Sequence, residues 1–353
     1  MVLTPPLALW VMPVSDLAGV ARHALDVART GIPGWQLAFL TPSGDLPREL
    51  RAVGATVIEE PFGPDHGLAA SVQTLRRAVR TLRPQVVHSH LSYADIAAAL
   101  AVGRAPRLVT TEHGIARDDL VYHRSSGKAR LMAAVHTARL RRFDAAIAVS
   151  HATADAMVDK WHPQRDVVVI PNGVDQALTP QPATGGLRVL SLARLSPEKR
   201  LPALVNGFAH LVREHREATL TIAGTGPEEP ALRSQVDRLG LSGVVSLPGF
   251  VDPAAALAQH DVLAMLSVWE NCSYALLDAA AAGLGVVASS VGGNPELLPP
   301  MSLVEVTDAV TVSGALAEQG LDLRCRPRLT EWPSVAEMCA TIADVYATTG
   351  GRP

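Results

Sequence analysis

The stretch Val262-Leu-Ala-Met-Leu-Ser-Val-Trp-Glu-Asn-Cys-Ser-Tyr-Ala-Leu-Leu-Asp-Ala-Ala-Ala-Ala-Gly-Leu-Gly-Val-Val-Ala-Ser289 decides the fold. Val262–Leu266 is continuously apolar, as a strand buried on both faces is. Ser273–Ala282 reads as a helix and Val286–Ser289 as the next strand. That order is one βαβ unit with parallel strands.

The same alternation runs from end to end. In the first half it predicts strands at Leu7–Val14, Trp35–Thr41, Thr56–Glu59, Gln85–Ser89, Leu108–Thr111 and Ala145–Val149. Helices are predicted between them at Gly19–Thr30, Leu68–Leu82, Ser92–Val102 and Lys128–Arg142. Pro171–Gly186, rich in Pro, Gly and Thr, interrupts the rhythm as a linker does. Beyond it come strands at Leu187–Leu192, Thr219–Ala223 and Val244–Leu247, helices near Leu201–His215 and Glu229–Leu239, and a last helix over Trp332–Ala347. The expected architecture is α/β, two doubly wound domains facing across a cleft, spanning 1–177 and 178–332, with 333–353 packing back on the first. Ligands of such sheets sit beyond the carboxyl ends of the strands.

The composition agrees. A length of 353 residues suits two domains, and 48% apolar with 18% charged residues supplies a core for each. Disorder, a collagen-like repeat and a disulfide scaffold are excluded. With 31 basic against 34 acidic side chains, a nucleic-acid binder relying on a strongly positive surface is disfavoured. Cys272, Cys325 and Cys339 lack metal-ligand spacing, and a reduced, cytoplasmic setting is expected. Leu7–Val14 is too short to span a bilayer and reads as a strand, not a signal peptide. Only Lys128, Lys160 and Lys199 are lysines, so a lysine inside a motif stands out.

Glu270-Asn-Cys-Ser-Tyr-Ala-Leu-Leu-Asp278 places two carboxylates across a strand end and a helix start. Ser273 is the expected N-cap, with the amides of Tyr274, Ala275 and Leu276 facing an anion. Alone, this spacing fits an N-cap and a surface acid better than a binding site. In Ala193-Arg-Leu-Ser-Pro-Glu-Lys-Arg200, Arg194 offers a planar fork and Lys199 a point charge, a pair suited to a diphosphate. Cations at a helix start oppose its dipole, which argues against mere solvation. Gly19, in Ser15-Asp-Leu-Ala-Gly-Val-Ala-Arg-His23, allows close backbone approach of a ligand or simply a tight turn. Gly224-Thr-Gly-Pro227 lacks the third glycine of a dinucleotide fingerprint. Histidines gather at strand ends in His88-Ser-His90 and Thr111-Glu-His-Gly114. No HExxH or cysteine pair accompanies them, so hydrogen bonding is expected rather than zinc. No Asp-x-Asp metal clamp occurs.

Ten segments in order resemble the retaining glycosyltransferases of the GT-B fold in glycosyltransferase family 4, over nearly the whole chain. They are Ala18-Gly-Val-Ala-Arg-His23, Val86-Val-His-Ser-His90, Thr111-Glu-His-Gly114, Ala148-Val-Ser150, Ile170-Pro-Asn-Gly-Val-Asp175, Arg194-Leu-Ser-Pro-Glu-Lys199, Ala223-Gly-Thr-Gly-Pro227, Pro248-Gly-Phe250, Glu270 to Asp278 and Gly292-Gly-Asn-Pro-Glu296. The resemblance implies an N-terminal acceptor-side domain and a C-terminal domain that binds a nucleotide-sugar, with a UDP-sugar expected. It implies that Arg194 and Lys199 bind the diphosphate, Glu270 the transferred sugar and Asp278 the ribose. Asn271, Cys272, Ser273 and Tyr274 would contact sugar and β-phosphate, Phe250 and Val251 the base, and Gly19 and Gly224 complete the donor set. Asp16, His90, His113 and Arg117 would lie on the acceptor side. His113, near the reacting sugar, joins Glu270, Arg194 and Lys199 as the implied catalytic group. No cofactor and no essential metal are implied.

Departures from the family pattern are Asp278 where Glu is usual, Ala18 for the first of paired glycines, Asn271-Cys-Ser-Tyr for a stretch with glycine and phenylalanine, and Gly285 where proline is frequent. In the family, attack comes from the face of departure with the leaving phosphate helping to take the acceptor proton, so no carboxylate nucleophile is needed. Alternatives are an epimerase or cyclitol-coupling enzyme of the same fold, and a non-catalytic sugar-nucleotide-binding protein. Leu120–Phe143 carries Arg124, Lys128, Arg130, Arg139, Arg141 and Arg142 and no acid. A solvated helix is the favoured reading of 124–142 over contact with anionic lipid.

Overall fold

A computed structural model describes residues 5–115, 126–175, 185–306 and 308–348. The chain forms two compact units, residues 1–173 with 333–353, and residues 174–332. The first holds β1 (Leu7–Val11), α1 (Gly19–Thr30), β2 (Gln36–Thr41), α2 (Asp45–Ala52), β3 (Thr56–Glu59), α3 (Leu68–Leu82), β4 (Val86–His90), α4 (Leu91–Ala101), β5 (Arg107–Glu112), α5 (Ser126–Leu140), β6 (Ala145–Ala148), α6 (His151–Trp161) and β7 (Val167–Val169). The second holds β8 (Arg188–Leu192), α7 (Leu201–Glu214), β9 (Thr219–Ala223), α8 (Glu229–Arg238), β10 (Val245–Gly249), α9 (Pro253–Ala258), β11 (Val262–Met265), α10 (Tyr274–Ala281), β12 (Gly285–Ser289), α11 (Asn294–Leu297), β13 (Leu303–Val304) and α12 (Ala309–Leu321). The chain then returns to the first unit as α13 (Val335–Thr348).

Each unit is built on one parallel sheet. The first has the order β3-β2-β1-β4-β5-β6-β7 and the second β10-β9-β8-β11-β12-β13. Both orders reverse in the middle, at β1/β4 and at β8/β11. The loops leaving such a pair diverge to opposite sides and open a crevice at the strand ends.

Alternation along the strands sorts side chains between two faces. Trp10 is in register with His88, and His90 with Thr111. These four share a face with α1 and α13, where Trp10, Val27, Phe39, Cys339 and Tyr346 form a core. The opposite face packs Leu9, Val11 and Val87 on α3 and α4 through Leu75, Ala94 and Ala98. In the second unit Val189, Leu220, Val262 and Val287 meet Leu204, Phe208 and Leu316. Gly207 lets α12 lie close on α7, because a methyl there would overlap Val312.

The terminal helix is fixed by polar bonds as well as by packing. Trp10 Nε1 donates to the Tyr346 hydroxyl (3.0 Å), which also bonds His88 Nδ1 (2.6 Å). Arg107 donates to the Tyr346 carbonyl (2.6 Å). The Ile170-Pro-Asn-Gly motif runs beneath the start of α13, and a methyl on Gly173 would overlap the Ser334 backbone.

The sequence pattern did not separate α2, α6, β7, α9, α11, β13 and α12. Most are only a few residues long, and α12 contains Gly314 and Gly320, which weaken a helical reading. The three cysteines are free. Among the described residues no helix is long and apolar enough to cross a membrane.

Candidate functional site

The second unit brings Arg194, Lys199 and Glu270 to its strand reversal at β8/β11. After β8 the chain passes through Arg194 into a tight turn, Pro197–Lys199, that ends in Arg200 with a left-handed backbone (φ 48°). After β11 it passes through Ser267 to Glu270. Val268 N–H donates to the Glu198 carbonyl (2.7 Å), tying the two loops together. Lys199 Nζ forms an ion pair with Glu270 Oε1, and Ser267 Oγ donates to the same oxygen at 2.7 Å. Glu198 accepts from Ser196 Oγ (2.7 Å) and Arg194 Nη2 (3.1 Å). Burial works against ionising Glu198, but the Ser196 hydroxyl, a backbone amide and the charges of Arg194 and Lys199 outweigh it, so its pKa is lowered. Arg194 keeps a 75% exposed side chain, open to an anion.

Glycines allow this crowding of backbone. Gly292 has φ +52°, and a methyl there would overlap the Glu270 carbonyl oxygen. Gly224, at φ +142°, makes way for the Ala193 carbonyl, and Gly226 for that of Leu195. In this unit, then, Gly224 shapes the Arg194 loop from behind.

Asn271, Cys272 and Tyr274 are buried, and Ser273 and Asp278 half-buried, at and just inside the start of α10. Ser273 stands at the N-cap position with extended backbone, yet its hydroxyl makes no bond to the first turn. That corrects the expected side-chain cap, and the cap hydroxyl does not occupy the amides of that turn. Phe250 is 72% exposed beyond the end of β10, beside half-buried Val251.

In the first unit, Asp16 is exposed in the loop before α1 and Gly19 is exposed at its first position, with open space around it. Ala18 caps that helix with no side-chain bond. His90 ends β4 and is followed by Leu91 in left-handed conformation (φ 70°), a strained choice for leucine. His113 lies just past β5, and its Nε2 is 2.9 Å from His90 Nδ1. His23, from α1, faces His113 edge-on with ring centroids 5.0 Å apart. Burial lowers the pKa of His23, His88, His90 and His113, bringing His23 to about 4 against the opposing hydrogen bond from Asn172. Each is therefore neutral at neutral pH. Arg117 lies outside the described residues.

Sequence reasoning missed His23 and a charged cluster on the other sheet face. Buried Asp95 accepts from Ser89 (2.5 Å) and Thr110 (2.8 Å) and pairs with Arg139, which also reaches Glu112 at 3.3 Å. One guanidinium faces two carboxylates there. Burial pushes the Glu112 carboxyl up to about 7, so a retained proton relieves the excess negative charge. Arg139 is 3% exposed and Arg142 donates to the Val102 and Gly103 carbonyls, so neither is committed to a lipid-facing surface. Arg124 and the side chains of Lys128 and Arg130 lie outside the described residues. An arginine in a basic helix gave no signal that it would turn inward.

Comparison with known proteins identifies both units. Residues 17–178 match the Glycosyltransferase Family 4 model and residues 186–319 that of Glycosyl transferases group 1. The chain is 29% identical to the glycogen synthase of Mycobacterium tuberculosis over 286 residues, covering 74% of this chain and 69% of that protein. It is 25% identical to a phosphatidylinositol N-acetylglucosaminyltransferase polypeptide of Arabidopsis thaliana, over 82% of this chain and 67% of the relative. Among solved structures, Anabaena HepE in complex with UDP-glucose aligns with TM-score 0.75 at 19% identity, covering 98% of this chain and 97% of that one. Sucrose-phosphate synthase from Thermosynechococcus elongatus aligns with TM-score 0.72 at 16% identity, over 98% and 94%. Two parallel-sheet units of this order, matched in turn by the two halves of the family, establish that the chain belongs to glycosyltransferase family 4, the group 1 glycosyl transferases of the GT-B fold.

Proposed function

We propose that this glycosyltransferase moves a sugar from a UDP-sugar to an acceptor hydroxyl or amine, with retention at the anomeric carbon and without an essential metal. The Lys199–Glu270 pair at the β8/β11 reversal carries the reading, because it fixes a cation for phosphate beside a carboxylate for sugar hydroxyls. The likeness to a structure holding UDP-glucose supports the choice of donor.

Breaking the bond between the anomeric carbon and the β-phosphate oxygen leaves the electron pair on the diphosphate. Lys199, Arg194 and the amides opening α10 stabilise that charge from preset positions. The acceptor oxygen or nitrogen attacks the anomeric carbon on the vacated face, and its proton passes to the departing phosphate. Neutral His113 presents its ring or carbonyl to the positive charge developing on the sugar. Asp278 holds the ribose, and Phe250 and Val251 flank the base. Gly19 completes the donor set, and Asp16 and His90 belong to the acceptor side.

The test is thermal unfolding against a panel of UDP-, GDP- and ADP-sugars. A donor at a hundred times its dissociation constant adds about 2.7 kcal/mol. Product analysis by NMR then reads the anomeric configuration, with EDTA present to show that the rate is not lowered. An inverted product overturns retention, and no stabilisation by any nucleotide-sugar overturns the donor site.

A further inference from the structure

His23, His90 and His113 each bring a ring nitrogen within 4.8 Å of the other two, and they come from three separate segments of the first unit. His23 projects from α1, His90 ends β4 and His113 follows β5. His23 and His90 are buried, while His113 is partly exposed. His90 Nδ1 and His113 Nε2 are 2.9 Å apart, so two neutral imidazoles share one proton. His90 Nε2 is buried and has no hydrogen-bond partner among the described residues. His88, by contrast, is bonded at both nitrogens, to Tyr346 and to Thr111.

We infer that these three histidines form a site for a divalent transition-metal ion, with zinc as its natural probe. Three imidazoles from three segments are the ligand set of a tetrahedral zinc site that leaves the fourth position open to water. Imidazole nitrogens select zinc-like ions over magnesium or calcium. With zinc–nitrogen bonds of about 2.0–2.1 Å, tetrahedral ligands stand roughly 3.3 Å apart. The His90–His113 pair reaches that by opening a few tenths of an ångström. Asn172, which hydrogen-bonds the His23 ring, orients one ligand from behind.

The experiment is zinc titration of the full chain against a chromophoric chelator, with cobalt substitution alongside. About one equivalent of zinc is expected to bind, at least tenfold more weakly in His23→Ala and in His90→Ala. Cobalt is expected to give the intense visible bands of a tetrahedral, nitrogen-ligated ion. Unchanged zinc affinity in both variants overturns the site. Should the variants fail to fold, weak octahedral cobalt bands in the wild-type chain overturn it equally. A stoichiometric site in a chain that turns over no donor keeps the metal site and removes the transferase reading instead.

Discussion

Lys199 and Glu270, 71 residues apart in sequence, form an ion pair where β8 and β11 end side by side, and Ser267 donates to the same carboxylate oxygen. Both bonds fall on Oε1. On the proposed reading, the pair presets the lysine for the donor phosphate.

Lys199→Ala and Glu270→Ala are each expected to cut turnover by about 10²–10³-fold. The double variant is expected to lose little more than either single one, since the two groups act as a unit. Circular dichroism is expected to show the fold intact in all three. Turnover close to wild type in either single variant would remove the pair from the machinery.

Gly292→Ala tests the loop behind the pair. The position has φ +52°, and the added methyl would overlap the Glu270 carbonyl oxygen, so the Glu270 loop must shift to admit it. Weakened UDP-sugar binding with the sheet intact is expected, read by calorimetry and circular dichroism. Wild-type affinity would show that Glu270 tolerates the displacement.

Much of the second unit's strand-to-helix loops was legible in the sequence, because each contribution is local. Arg194 and Lys199 follow an apolar strand directly, and Glu270 to Asp278 bridges a strand end and a helix start, so periodicity alone placed them in strand-to-helix loops. The partners of those groups were not legible. Neither the Lys199–Glu270 pair nor the Arg139 cluster follows from spacing, since both depend on which strands lie adjacent. His23 looked like one more helical residue until the crossover placed α1 over the face that carries His90. The Ser273 cap failed for a subtler reason: the residue type and backbone are right, and only the hydroxyl's bond is missing.

Tyr346→Phe tests the attachment of α13. The variant removes the oxygen that receives Trp10 Nε1–H and bonds His88 Nδ1, leaving two buried polar atoms without that partner. A loss of about 1–3 kcal/mol is expected, measured by denaturant unfolding. An unchanged midpoint would mean that packing alone secures the helix.

The buried histidines make stability depend on pH, and the sign follows from His23. Burial holds its pKa at about 4 in the folded chain, against an ordinary value of 6.5. Between these values the unfolded chain binds a proton that the folded chain refuses, so stability falls as pH falls through that window. A shift of this size corresponds to about 3 kcal/mol by pH 4. His88, His90 and His113, also held down by burial, act in the same direction. Glu112 opposes them: with its carboxyl at about 7, it contributes stability below pH 4.5 that is lost as pH rises through 7. Four groups against one leave a net loss on acidification from pH 6.5 to 4. His23→Gln is expected to flatten that slope by about one proton's linkage, roughly 1.4 kcal/mol per pH unit. Denaturant unfolding of wild type and variant at closely spaced pH values reads the difference, and parallel curves would mean that His23 is not held neutral in the folded chain.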